Sequence, residues 1–145
     1  MRVCLCELAG VSVAIPVSAV EEVFALGSVT PVPGAPPWVL GATSRRGRVL
    51  PVLRLPDLPT TGAARPGASV LVLREGELRA AIPIEATHGI QEALPLPGGA
   101  PAAAGPLQGA VSADGRSWSL LSPGALAGIW TEEVRRWTTL DETER

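Results

Sequence analysis

The chain has no lysine, no asparagine and no tyrosine, and it holds one histidine, one methionine and one phenylalanine in 145 residues. Aromatic residues make up only 3%. Enzymes that work by acid–base or nucleophilic chemistry need a nucleophile, a base and an orienting group within reach of one another. Without Lys and Tyr, and with a single His88, only carboxylates and serines remain for such work. No Gly-x-Ser-x-Gly elbow and no phosphate-cradling glycine loop is present. The composition therefore argues against an enzyme. His88 reads as a lone histidine in a turn, with no catalytic partner assigned to it, and is expected at the surface or in a cap.

Other absences narrow the class further. Net charge is −2 and no basic run exceeds two residues. A nucleic-acid-binding face needs clustered basic residues and stacking aromatics, so nucleic acid is not expected as a partner. Proline and glycine interrupt every hydrophobic stretch, so no segment has membrane-spanning length, and no signal peptide is evident. The chain is expected to be soluble and cytoplasmic. The two cysteines, Cys4 and Cys6, would lie on one face of a strand. They are poorly placed to pair, and no second Cys or His group completes a metal site. They read as small buried apolar residues, and no metal or cofactor is expected. All 12 basic residues are arginine, which points to a GC-rich coding bias as much as to guanidinium chemistry.

What is present is apolar content of 46%, 16 glycines and 15 prolines. That is enough for one domain, or two small subdomains on one core, built mainly from Val, Leu, Ile and Ala. The central stretch is Pro31 to Leu55. Its Pro31–Pro37 segment excludes helix and inner strand. Trp38–Thr43 and Val49–Leu55 read as strands, joined at a polar tip, Ser44-Arg45-Arg46-Gly47-Arg48.

This plan recurs. Gly41-Ala42-Thr43-Ser44-Arg45-Arg46-Gly47-Arg48 is matched 68 positions on by Gly109-Ala110-Val111-Ser112-Ala113-Asp114-Gly115-Arg116. Upstream, the Ile15-Pro16 step is matched 67 positions on by Ile82-Pro83. Two features in one order at nearly one offset indicate two copies of a β-rich unit of roughly 65 residues.

In chain order, residues 3–9 read as an opening strand. Val11, Val13 and Ile15 share a face of the next strand. Ala19–Phe24 fits either a helical turn, with Val20 and Val23 inward and Glu22 outward, or a strand; Phe24 is assigned to the core. Pro56–Gly67 reads as a loop joining the copies. Ser69–Leu73 is fully apolar and is expected to be a central buried strand, paired through Glu75-Gly76-Glu77 with Leu78–Ile84. Glu85–Glu92 takes the place of Ser18–Val23 in the second copy. Pro95–Pro106 reads as a flexible loop, and Leu107–Leu121 as the second hairpin. Pro123-Gly124 is expected to block helix directly after the last strand, with Thr131 capping a short helix whose Trp130, Val134 and Trp137 share a face. Residues 138–145 are expected to fray.

These motifs together resemble the CheW-like domain of bacterial chemosensory systems. The residues that carry the resemblance are Ile15-Pro16-Val17, Val20-Glu21-Glu22-Val23, Pro31-Val32-Pro33, Gly41 through Arg46-Gly47, Pro51-Val52 and Arg54-Leu55, and it extends over about residues 3–128. It implies an all-β fold of two small SH3-like five-stranded β-barrel subdomains around a shared core, with a short C-terminal helix. Residues 1–145 would form one CheW-like domain. The first subdomain would take about residues 11–66, the second 67–128 plus the N-terminal strand, and residues 129–145 would be the helix and tail.

The resemblance also implies a function: a non-enzymatic scaffold in cytoplasmic chemoreceptor arrays. It would couple the cytoplasmic tip of a methyl-accepting chemoreceptor to the regulatory domain of a CheA-type histidine kinase. The receptor tip, a helical hairpin, would contact Val20, Glu22, Gly41 and Arg46. Gly41 would allow close backbone approach, Arg46 would offer a planar multi-donor group, and Val20 an apolar contact. Alternatively, Arg46 would only brace the groove by pairing with Glu22. Kinase contact would fall near Val29, Thr30, Ser69 and Val70. Ser44, Arg45 and Arg54 replace the family's Asn, apolar residue and Asp. A second reading follows from these departures: a modulator that binds receptors but not the kinase, as do accessory CheW-like proteins of the Frz pathway in gliding bacteria.

Overall fold

The computed structural model describes residues 1–56, 58, 65–97 and 105–144, the last eight of them by backbone alone. Eleven strands and one α-helix are present among them. The strands are β1 (Arg2–Leu8), β2 (Val11–Pro16), β3 (Val20–Ala25), β4 (Val39–Arg45), β5 (Arg48–Leu53), β6 (Ser69–Glu75), β7 (Leu78–Pro83), β8 (Ala86–Glu92), β9 (Leu94–Pro95), β10 (Leu107–Ala113) and β11 (Arg116–Leu121). The helix is α1 (Pro123–Glu144). Much of the expected inter-copy loop, of the Pro95–Pro106 loop, the side chain of Trp137 and those of residues 138–145 lie outside the described residues.

The hairpin tips follow from local chemistry. Ala9-Gly10, Arg46-Gly47 and Asp114-Gly115 all have positive φ at both positions. That is the type I′ geometry which matches the right-handed twist of paired strands, and glycine at the second position accommodates it. The recurring Gly-Arg is thus the end of a turn and the first residue of a strand.

One sheet runs β8-β1-β2-β11-β10-β9 and the other β3-β6-β7-β5-β4. Shifted by the repeat offset, the two orders are the same apart from β9, which has no counterpart strand among the described residues. The first hairpin of each copy, however, sits in the sheet of the other. β2 lies parallel to β11, with Leu120 opposite Ala14, and β5 lies parallel to β7, with Val52 opposite Ala81. The division at residue 67 therefore needs correction. The N-terminal strand β1 does join the strands after residue 67, but β2 goes with it and β6–β7 joins the other sheet, so the sheets do not split the chain into 11–66 and 67–128 plus the N-terminal strand.

Burial explains why these hairpins are the exchanged pieces. Along β1, Val3 and Leu5 pack with Ala14, Val111 and Trp118 inside the first barrel, while Cys4, Cys6 and Leu8 face a second cluster. Along β6, Val70 and Val72 join Phe24, Leu50 and Val52 inside the other barrel, while Leu71 and Leu73 face that same second cluster. The shared cluster lies between the barrels. Each wall strand is buried on both faces, which is why it reads as a continuous apolar run rather than an alternation. Cys4 and Cys6 are buried free thiols in this wall.

One open alternative is decided and one local expectation is corrected. Residues Val20–Ala25 form a strand, so Phe24 points inward while its neighbour Val23 is 47% exposed. The helix starts at Pro123, not near Thr131. Proline is tolerated in a first turn, where its missing N–H would have no partner. The Ala125 N–H donates to Ser122 Oγ at 3.1 Å, which makes Ser122 the cap. Thr131 lies mid-helix and donates its hydroxyl back to the Ala127 carbonyl at 2.9 Å. Leu126 of α1 is fully buried in the shared cluster, and Ala127, Ile129 and Trp130 pack against it.

Candidate partner-binding site

Glu22 sits two residues before buried Phe24 on β3, hence on the same face. A bulge in the β3–β6 pairing falls between Val20 and Glu22, so the strand changes its facing there. Val20 turns toward the shared cluster and is half-buried against it. Glu22 turns toward the end of the barrel and meets the hairpin β4–β5 coming from the opposite edge of the sheet.

There it is held by two arginines. Arg45 Nε donates to Glu22 Oε1 at 2.9 Å, and Arg46 Nη1 lies 3.5 Å from Glu22 Oε2. Arg45 also stacks, its guanidinium carbon 4.5 Å from the centre of the Phe24 ring. The hydrogen bond from Arg45, helped by the charges of Arg45, Arg46 and Arg79, holds the Glu22 carboxyl below its ordinary range. The two arginines differ in exposure: the Arg45 side chain is 35% exposed and that of Arg46 74%. Arg46 is thus presented outward from the hairpin tip, while Arg45 does most of the holding.

Gly41 behaves differently from expectation. It is buried, with φ +150°, and a Cβ placed on it would lie 2.6 Å from both the Thr30 carbonyl oxygen and Val29 Cγ1. The close approach that glycine permits is by the protein's own backbone. Thr30 and Ala42 exchange two hydrogen bonds of 2.9 Å, and Thr43 Oγ1 donates to the Ser28 carbonyl at 2.9 Å. These bonds close the second barrel between β4 and the chain that follows β3.

Of the four residues assigned to the receptor, Glu22 and Arg46 are in contact and Val20 is near in the chain. Gly41 sits instead beneath Val29 and Thr30, two of the residues assigned to the kinase. Ser69 is exposed, at the β6 end that pairs with Ala25. Val70 is 0% exposed in the barrel interior, so its side chain is part of the core and not of a surface.

Sequence reasoning missed a group of arginines around Glu21, the neighbour of Glu22. Arg79 Nη2 donates to Glu21 Oε1, and Arg74 lies 3.9 Å from the same oxygen. The signal for them is in period 2: Arg45, Arg48 and Arg79 stand two positions from inward-facing Thr43, Leu50 and Ala81. They are polar ends of inward-facing rows.

Other chemistry is limited. Among the described residues no three His, Cys, Asp or Glu side chains gather as a metal site. Burial raises the Cys4 thiol and pushes the Cys6 thiol up to about 12, so both are protonated and poor nucleophiles at neutral pH. His88 stacks edge-on to Trp118, ring centres 5.5 Å apart, and its Nε2 is 3.9 Å from Glu7. No described helix is long and apolar enough to cross a membrane.

Comparison with known proteins agrees with this architecture. The chain is 36% identical over 108 residues to protein FrzA of Myxococcus xanthus, covering 70% of this chain and 68% of that protein. The crystal structure of the scaffolding protein TtCheW from Thermoanaerobacter tengcongensis superimposes with a TM-score of 0.68 at 18% identity, covering 83% of this chain and 87% of the other. The profile of the CheW-like domain matches residues 2–129, and the chain belongs to that family.

Proposed function

We propose that this protein is a non-enzymatic chemosensory adaptor that binds the cytoplasmic tip of a chemoreceptor at the rim formed by Val20, Glu22 and Arg46. The observation that carries this reading is the division of labour around Glu22. Arg45 takes the short hydrogen bond, and Arg46 stays 74% exposed with a single 3.5 Å contact. A guanidinium so placed can add a carboxylate or helix-end carbonyls of a partner without first giving up a strong bond. Val20 offers an apolar neighbour for a helix laid beside it. Gly41 supports the site from below by closing the barrel. Family membership supports coupling to a CheA-type kinase in a cytoplasmic receptor array. Val29, Thr30 and Ser69 are the surface candidates for that contact.

The alternative is a modulator that occupies receptors without engaging the kinase. It is favoured by the 36% identity to FrzA. It is favoured too by the burial of Val70, which leaves one fewer residue for a kinase.

The test is a pair of calorimetric titrations, one with a receptor cytoplasmic tip and one with the kinase regulatory domain, each repeated with Arg46→Glu. Binding of the parent to both titrants, with the variant failing to bind the receptor tip but still binding the kinase domain, supports the coupler. Receptor binding alone supports the modulator. No binding to either refutes both readings.

A further inference from the structure

The two barrels are copies of one design, yet their corresponding ends differ in chemistry. In the first barrel the end is filled. Trp118 is 1% exposed, donates its indole N–H to the Ala113 carbonyl at 2.8 Å, and lies under Arg116, whose guanidinium carbon is 4.0 Å from the ring centre. In the second barrel the residue in register with Trp118 is Leu50, 68 positions earlier. The smaller side chain leaves the end open as a cavity of about 370 Å³ with Leu50 and Val72 among its lining residues.

The rims differ as well. Strand registers make the comparison residue by residue. Arg45 pairs with Arg48 where Ala113 pairs with Arg116, and Arg74 pairs with Arg79 where Glu7 pairs with Ser12. One filled end is thus matched by an open end ringed with guanidinium groups. Four arginines and two glutamates line the open cavity, in a chain whose net charge is −2. Glu77 lines a neighbouring pocket that shares Arg48, Leu50 and Arg79 with it.

These guanidiniums are under-compensated. Arg48 makes no ion pair with any described carboxylate. Arg79 keeps its Nε buried with no hydrogen-bond partner, although its Nη2 is bound to Glu21. A buried donor without a partner has given up its water and received nothing in exchange. Arg48, exposed at the rim and paired with no described carboxylate, is the group that gains directly by accepting an anion.

We propose that the open end of the second barrel is a binding site for an acidic polypeptide segment, with Arg48 and Arg79 as its carboxylate ligands and Leu50 and Val72 as its apolar floor. A polypeptide fits better than a free phosphate. Glu21 and Glu22 inside the rim repel a multiply charged anion, whereas single carboxylates can sit between them and the arginines. The apolar floor suits side chains that flank an acidic residue. The cavity shares Glu22 and Arg46 with the rim proposed for the receptor, so the site extends that rim inward, but its carboxylate ligands, Arg48 and Arg79, are not among the residues assigned to the receptor.

The full chain, labelled with ¹⁵N, is titrated with a hexaglutamate peptide while the arginine Nε–Hε resonances are followed. Hexaglutamine and inorganic phosphate are the comparison probes. Saturable shifts at Arg48 and Arg79, absent with hexaglutamine and abolished when ionic strength rises from about 0.05 M to about 0.5 M, are expected. The double variant Arg48→Gln, Arg79→Gln weakens binding about tenfold or more. Leu50→Trp, which refills the cavity without changing charge, also abolishes it, with unchanged amide spectra elsewhere showing an intact fold. Shifts spread evenly over Arg2, Arg116 and Arg135, an equal response to hexaglutamine, or a response to phosphate with hexaglutamate inert, overturns the proposal. Because the probe is a peptide, failure of the receptor tip to bind does not bear on it.

Discussion

The indole of Trp130 on α1 meets the ring of Trp38 edge-on, with ring centres 5.9 Å apart and planes at 81°. Trp38 is buried at the start of the β4–β5 hairpin, and Trp130 is half-buried beside fully buried Leu126. This contact ties the helix to the segment that presents Arg45 and Arg46.

The first prediction follows from that tie. Trp130→Ala removes an aromatic pair and part of the helix's apolar face, and should cost about 2 kcal/mol in urea unfolding. If the helix braces the hairpin, receptor-tip affinity falls with it. Trp130→Phe should recover most of the stability.

Gly41→Ala is predicted to be far more damaging than its one added methyl suggests. The methyl meets a backbone oxygen at 2.6 Å, and φ is +150°. Relief requires breaking the Thr30–Ala42 bridge, so a loss exceeding about 2 kcal/mol is expected in chemical unfolding. Pairing it with Val29→Ala relieves the clash with Val29 Cγ1 but not that with the Thr30 carbonyl, so the double variant should recover little.

Glu22 makes stability sensitive to acid. Its folded pKa lies below its unfolded value because Arg45 and its neighbours favour the carboxylate. The stabilisation is therefore complete above the ordinary glutamate range and is lost as pH falls through that range and below. Urea midpoints measured through this window should fall less steeply in Glu22→Gln than in the parent, because the variant has nothing there to protonate. Equal slopes would remove Glu22 from the account.

At the alkaline end the absence of lysine and tyrosine becomes useful. Arginine does not titrate, so above pH 9 the side chains that ionise are Cys4 and Cys6. Burial raises both folded pKa values, that of Cys6 to about 12. The unfolded thiol ionises near its ordinary value of 9.0 while the folded Cys6 thiol keeps its proton. Stability should then fall between pH 9 and 12, by at most about 1.4 kcal/mol per pH unit for each thiol. Cys4→Ala with Cys6→Ala should start lower and run flat over the same interval.

How much of this is legible in the sequence depends on the range of the interaction. The type I′ turns at Arg46-Gly47 and Asp114-Gly115 are local, so the repeat can be read from the glycines that their positive φ favours. Strands buried on both faces show as the apolar runs of β1 and β6. The helix start is obscured because Pro123 reads as a breaker, although a first turn has no use for its missing N–H. The hairpin exchange is not legible: β1–β2 and β6–β7 have matching apolar patterns, and which sheet each joins is decided by contacts far apart in the chain. For the candidate site, Glu22 and Arg46 are named through the family resemblance carried by their motifs, not by periodicity. Arg48, Arg74 and Arg79 converge only when four strands come together. The motif does not reveal which face of β6 meets solvent, so it assigns Val70 to a surface that its side chain does not reach.

The exchanged hairpins also bear on how the chain is made. The β1–β2 hairpin leaves the ribosome first, but β8, β10 and β11, its sheet partners, are among the last strands to emerge. The other sheet, β3 through β7, is finished earlier, once β7 is out. Its wall then waits with Leu71, Leu73, Ala80 and Ile82 facing a cluster that cannot close until α1 has been added. Assembly is therefore weighted toward the emergence of α1, and a chain severed between the copies yields two pieces, each holding a hairpin that belongs to the other.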